Sequence, residues 1–425
     1  MINNFYVSYF QVSHAAVDWV VLSAFVGSVL TTPVVATLAF FNLLPFRRMV
    51  ILSALLLAAV MLSFVLALLS NRLFFLTVLS QIVSGVPASI NEILPGIFAT
   101  LWFPESHVGT AIGAIVFGTS FGNVIGAIAL THAVKVTVSH RNNITQNDSV
   151  NITKTVVAVL ESRVNLIITY CSLFAISFII LLFLIKYAED LPPLPPTTAQ
   201  SLKRKSEFYT RTNVRLEKVL SDSWKLISDW TFVIACVVFA IEYHISTFEY
   251  TLLGEMLRQM NSRFSFQQST VISGYTVTCF SGGACAGCIL SGFLTNRYKH
   301  YSRQTIVGCL ISFVASLGIL FGFEFGRTWL LMLSNAVYGM ATRISMVPLY
   351  DLITQHTYPI NETISCGWMT CVQVLLAVVA AELSRLLFTY TGSLGVLIFH
   401  SGALLFNMLL VFLIKPKYGR LLLNS

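Results

Sequence analysis

The chain has 425 residues, 56% of them hydrophobic and only 10% charged, with a mean hydropathy of +0.78 and a formal net charge of +8. Too few polar side chains remain to cover a water-soluble core, so lipid is the solvent for most of the chain. A bias of basic residues toward one face of the membrane accounts for the charge without nucleic-acid binding, and the absence of a P-loop, an HExxH pair or a nucleophile elbow argues against an enzyme.

A hydrocarbon core of about 30 Å takes roughly 20 apolar residues per helix, and long uninterrupted apolar runs exclude a closed barrel. Eleven spans are predicted, over 17–41, 49–70, 73–102, 108–136, 164–187, 230–257, 268–294, 304–325, 328–350, 363–388 and 393–414. The first contains Pro33 and the third contains Pro87 and Pro95, which bend helices and free carbonyls beside a cavity. A charge inside a span costs about 2.5 kcal/mol or more on insertion scales, so its position is informative. Glu92, mid-span beside Asn91, either lines a wet cavity or holds a proton. In the fourth span Gly109, Gly113, Gly118, Gly122 and Gly126 form a small-residue stripe, as do Gly283 and Gly287 in the seventh, and such stripes let helix backbones approach closely. The loop at 137–163 holds three glycosylation sequons, at Asn143, Asn147 and Asn151, which suits a lumenal or extracellular segment.

The segment 188–229 opens with Leu191-Pro192-Pro193-Leu194-Pro195-Pro196 and continues through Lys203-Arg204-Lys205. It reads as a cytosolic linker between an N-terminal bundle at 1–187 and a C-terminal bundle at 230–425, with a short amphipathic helix near Val214 to Ile227. Glu242 and His244 sit together in the sixth span, where a histidine beside a carboxyl suits proton transfer. Arg343 and Asp351, eight residues apart on one helix face, suit a gate or a structural charge network. Glu382 and Arg385 suit a rim ion pair. The eight cysteines fall inside spans and read as buried small residues, with no metal or cofactor site implied.

Arginine and lysine recur in alternate loops, at Arg47 and Arg48, in 188–229, at Arg297, Lys299 and Arg303, and after Lys415, which places those loops in the cytosol. A fourth sequon, at Asn361, falls on that side and is expected to stay unmodified. Because eleven is odd, the two termini lie on opposite faces. With no complete apolar run before Trp19, the pattern predicts a six-plus-six carrier whose first helix is absent from this chain.

The junction Leu101-Trp102-Phe103-Pro104-Glu105-Ser106-His107-Val108-Gly109-Thr110-Ala111-Ile112-Gly113 resembles the signature between helices 4 and 5 of solute carrier family 49, within the major facilitator superfamily. Gly292-Phe293-Leu294-Thr295-Asn296-Arg297 resembles the superfamily's basic loop motif, whose first-half counterpart at Asn42 to Arg48 is degraded. Two branches of the family are similar. Val17-Asp18-Trp19 resembles the feline leukaemia virus subgroup C receptor-related proteins, which carry choline and ethanolamine. Leu191 to Pro196, Gln200-Ser201, Tyr358-Pro359 and Ile364-Ser365-Cys366-Gly367 resemble the lysosomal disrupted in renal carcinoma branch, the favoured one.

The resemblance implies an all-α major facilitator fold of two bundles. It also implies a proton-coupled carrier of a small organic solute, with pyridoxine leading and the lysosomal membrane as its place. Choline or ethanolamine uniport, haem transport and the plasma membrane are the alternatives, and a non-transporting receptor or inactive product is the reading from another class. In this reading Trp19, Phe248 and Tyr250 offer aromatic faces to the solute, Asn123 and Gln373 hydrogen-bond it, and Glu92 or Glu242 with His244 carries the proton. Its partners are a small molecule, the bilayer and protons, with no nucleic acid.

Overall fold

The computed structural model describes residues 3–41, 43–134, 148–196, 201, 216–260 and 266–415, and among these every element is a helix. In chain order they are α1 (Asn3–Phe10), α2 (His14–Phe40), α3 (Phe46–Leu69), α4 (Phe74–Trp102), α5 (Val108–Ala133), α6 (Asp148–Tyr187), α7 (Leu216–Ser228), α8 (Trp230–Met260), α9 (Phe266–Tyr298), α10 (Tyr301–Glu324), α11 (Thr328–His356) and α12 (Glu362–Val411).

Nine helices among the described residues are long and apolar enough to cross a membrane, and the bent pair α7–α8 makes a tenth. The last, α12, is two crossings. Its 50 residues would be far longer than a bilayer is thick at 1.5 Å per residue, and Gly392 interrupts it with φ 70 and ψ −165. That is left-handed backbone only glycine adopts freely. The chain reverses there, because the Ser384 hydroxyl lies 3.3 Å from His400 Nε2, the two residues being equally far from the break. Gln259 of α8 steadies the turn by accepting the Ser393 amide at 3.0 Å. The eleven crossings correspond to the eleven predicted spans.

Two sequence expectations are revised. Helix α6 begins at Asp148 rather than 164, so the segment read as a loop over 137–163 is helical in its second half. Asn143 and Asn147 lie outside the described residues, as does the side chain of Asn151. The glycine stripe of α5 is also used unevenly. A Cβ on Gly109 or Gly113 would press into α9, at Thr295 and at the Cys288 carbonyl, whereas one on Gly118, Gly122 or Gly126 would meet nothing within 4 Å. Gly283 and Gly287 do follow the expectation, each lying directly against the backbone of α11 at Ala336 and Met340.

Helices α1 to α6 form an N-terminal set, in which α2 packs on α4 and α3 on α4 and α6. Helices α7 to α12 form a C-terminal set, in which α11 packs on α9 and α10, and α12 on α8 and α10. The sets meet where α5 runs along α9 and where α2 and α4 face α12. One end of the molecule carries Arg47, Arg48, Arg297 and Arg303 and is called the basic end below. Exposed aromatic side chains ring both ends, Tyr187, Trp224, Trp230 and Tyr298 at the basic end and Phe325, Trp329 and Tyr390 at the far end. Such belts mark the two membrane interfaces.

Candidate functional site

Glu92 projects from the middle of α4, three residues before Pro95, whose missing amide leaves the Asn91 carbonyl without its helical donor. The Glu92 carboxylate reaches out of its own set. The Tyr243 hydroxyl of α8 donates to Oε1 at 2.9 Å. The Tyr350 hydroxyl of α11 lies 3.2 Å from Oε2 and 3.1 Å from the Glu92 carbonyl oxygen. Gln373 of α12, 1% exposed, stands beside the same carboxylate, and its Oε1 has no partner among the described residues. One acidic group of the N-terminal set is thus held by two helices of the C-terminal set, α8 and α11, with Gln373 of α12 beside it.

Arg343 of α11 acts on Glu92 through space. Arg343 is buried, donates to the Met346 thioether at 3.3 Å and leaves Nε without an acceptor among the described residues. Neither Glu92 nor Arg343 forms an ion pair among the described residues. Phe239 packs its ring at 81° to that of Tyr350 with centroids 4.9 Å apart, so the carboxylate has aromatic walls. A carboxylate, two phenols and an amide meet here inside the membrane-spanning region, a set of groups whose chemistry suits a small cation or a proton.

The remaining site expectations divide clearly. Gln373 stands beside Glu92. Glu242 does not join Glu92, because it points into the C-terminal set. It is fully buried, with Ser312 Oγ donating to Oε2 at 3.1 Å and Asn407 Nδ2 to Oε1 at 3.2 Å. The residue that faces Glu92 is its neighbour Tyr243, since one residue along a helix turns the side chain by about 100°. The side chains of His244, Phe248 and Tyr250 lie outside the described residues. Trp19 on α2 and Asn123 on α5 are exposed and bond to no member of the Glu92 group among the described residues.

Arg343 and Asp351 are not paired with each other. Asp351 Oδ1 lies 3.4 Å from the Gln355 amide nitrogen, which donates at 3.0 Å to Glu105 in the α4–α5 loop of the other set. That bridge, which residue spacing did not reveal, belongs to a closure at the basic end. Asn296 of α9 donates to the Thr110 hydroxyl of α5. Gly367 of α12 lies against Ala36 of α2, and Gly96 of α4 against Cys366. Arg297, next to Asn296, is exposed. At the far end α5 meets α9 through Thr131 and Gly274.

Eleven membrane crossings in two sets, meeting around one buried carboxylate, define a polytopic helical membrane protein with its polar centre between the sets. The Major Facilitator Superfamily model matches residues 1–381, and the chain belongs to that superfamily. It is 24% identical over 360 residues to the choline/ethanolamine transporter FLVCR1 of Mus terricolor, covering 84% of this chain and 60% of that one. To the human choline/ethanolamine transporter FLVCR2 it is 24% identical over 368 residues, covering 86% and 63%. The chain therefore spans about three fifths of the length of these curated relatives. Among solved structures, the fucose:proton symporter FucP of E. coli superposes with a TM-score of 0.67 at 14% identity, covering 98% of this chain and 95% of that one. The proton:xylose symporter XylE does so with 0.69 at 12%, covering 99% and 91%. These likenesses show the fold.

Proposed function

We propose that the chain is a secondary transporter that moves a small organic cation of the choline or ethanolamine kind, with Glu92 as its anionic contact. The observation that carries this reading is the Glu92 carboxylate, which belongs to one set and is held by Tyr243 and Tyr350 of the other, with Gln373 beside it. Rocking the sets about that point changes which end of the molecule reaches it. The N-terminal set through 187 and the C-terminal set from 230 act as the two moving bundles, with 188–229 as linker and the basic end in the cytosol.

An ammonium head is matched by the carboxylate and by the faces of Tyr243, Tyr350 and Phe239. The sequence resemblance put pyridoxine first. An acidic, aromatic centre and relatives named for choline and ethanolamine favour the cation instead. Solute and proton compete for the same carboxylate in this reading, so a pH gradient changes the rate of exchange.

Flux of choline, ethanolamine, pyridoxine and haem into proteoliposomes, with and without a pH gradient, tests the proposal. Saturable uptake of choline or ethanolamine, lost in Glu92→Gln, is expected. Pyridoxine or haem flux that choline does not inhibit would overturn the choice of substrate.

A further inference from the structure

Arg343 is a buried charge that the Glu92 centre leaves unused. It is 7% exposed, and its hydrogen-bond acceptor among the described residues is the Met346 thioether, 3.3 Å from Nη1. A thioether accepts only weakly. Nε, also buried, has no partner among the described residues. The edge formed by Nε and Nη2 is thus uncommitted there, and it is an edge on which two N–H groups run side by side, the fork that matches a carboxylate or a phosphate.

Two turns of α11 separate Arg343 from Tyr350, so both project from one face of that helix. Tyr350 bonds Glu92, and Met346 lies between the two along the chain, so the guanidinium bends along α11 toward the level of Glu92. Its charge acts on Glu92 of α4 and on the thiols of Cys285 and Cys288 of α9. Cys288 Sγ in turn lies 4.0 Å from Ser120 Oγ of α5. The guanidinium therefore stands at the seam of the two sets, as Glu92 does.

The acids of the middle of the membrane are engaged elsewhere. Both Glu92 oxygens face phenol hydroxyls, Glu242 is held inside the C-terminal set by Ser312 and Asn407, and Asp351 lies by Gln355 at the basic end. A guanidinium that only braced the fold would have its N–H groups taken by carbonyls or carboxylates, because an unpaired buried donor is costly. Here one carboxylate and one guanidinium feel each other through space without forming an ion pair among the described residues. Their charges sum to zero. A lone cation would leave this centre with an uncompensated positive charge inside the bilayer, whereas a zwitterion would leave it neutral.

We infer that Arg343 is the anion contact of the transport site, and that the solute is a net-neutral zwitterion, an ammonium joined by a short chain to a singly charged oxyanion such as a carboxylate or a phosphodiester. The inference rests on Glu92 as the ammonium contact. The ammonium meets Glu92 and its phenols, and the oxyanion lies across the Nε–Nη2 edge of Arg343. Phosphate monoesters carry more than one negative charge and are disfavoured, because they leave the site negative.

Equilibrium binding of radiolabelled choline, glycine betaine and glycerophosphocholine to the purified full chain provides the test, the last two separating a carboxylate from a phosphodiester. The wild-type chain should bind at least one of the two zwitterions about tenfold or more tighter than choline. In Arg343→Gln that preference should disappear, because the zwitterion loses its fork while choline no longer meets a like charge and binds more tightly. Arg343→Lys keeps the charge and loses the fork; it should fall between the two, and it gives the same readout should Arg343→Gln not fold. Choline bound as tightly as both zwitterions by the wild-type chain, or a preference that survives in Arg343→Gln, would overturn the inference. Glu92→Gln separates this from the reading beneath it. Binding that Glu92→Gln leaves unchanged removes the ammonium contact itself, whereas Glu92-dependent choline binding with no preference for a zwitterion overturns the anion contact alone.

Discussion

Gly113 is where the closure at the basic end is most easily pried open. A Cβ there would stand 2.9 Å from the Cys288 carbonyl oxygen and 3.3 Å from the Gly292 Cα. Ordinary contacts begin near 3.4 Å, and both obstacles are backbone, so neither swings aside. Gly113→Val adds two methyl groups beyond that atom. Overpacking of this kind costs about 1–3 kcal/mol, and it acts only while α5 and α9 touch at this end. At 1.4 kcal/mol per tenfold change, the closed-to-open ratio falls by about 5- to 150-fold. Cys288 and Cys366, both fully buried behind the closure, report the change. Labelling by a membrane-impermeant maleimide from the basic side, read peptide by peptide by mass spectrometry, should accelerate at both cysteines by a factor in that range. Gly113→Ala should give a smaller effect in the same direction. Unchanged labelling in a monodisperse Gly113→Val protein, or equal acceleration by Gly122→Val, whose site has nothing within 4 Å, would refute the reasoning.

Three further outcomes follow from the same geometry. Tyr243→Phe removes the 2.9 Å donor to Glu92 and with it a bond to a charged group worth about 1.5–3 kcal/mol, so kcat/KM for cation uptake should fall by about 10- to 150-fold while folding yield holds. Glu242→Leu strips Ser312 and Asn407 of their acceptor in a fully buried place, and should lower stability in detergent by about 1–3 kcal/mol; Glu242→Leu/Asn407→Leu should recover part of the loss, which a thermal melt measures. Gly283→Ala drives a Cβ to 1.9 Å from the Ala336 carbonyl oxygen and should depress the yield of folded protein, whereas Gly122→Ala should be neutral or raise helix stability by up to about 1 kcal/mol, a contrast that size-exclusion profiles and melts resolve.

The crossings were legible because lipid makes a single demand, about 20 apolar residues in a row, that hydropathy reads directly. The start of α6 was missed for the same reason, since 148–163 is polar enough to look like a loop yet follows Asp148 straight into helix. Glu92 stood out because a carboxylate in an apolar run needs an explanation. Its partners did not, since Tyr243 and Tyr350 are unremarkable in a span until the crossing of α4 with α8 and α11 turns them inward. Glu242 shows the converse. It looked equal to Glu92 in sequence, and the rotation of α8 aims it into its own set, with Ser312 and Asn407 as neighbours. The five glycines of α5 likewise look alike, and only the path of α9 decides that Gly109 and Gly113 are packed. Residue type marked the candidates, and helix rotation chose among them.

Equilibrium binding of radiolabelled choline and ethanolamine to the purified full chain and to Glu92→Gln tests the central claim most directly. Saturable binding by the wild-type chain that Glu92→Gln weakens at least about tenfold, a loss of about 1.4 kcal/mol, is the predicted result. Binding of equal strength in both proteins would contradict it and move the solute away from the contact of α4 with α8, α11 and α12.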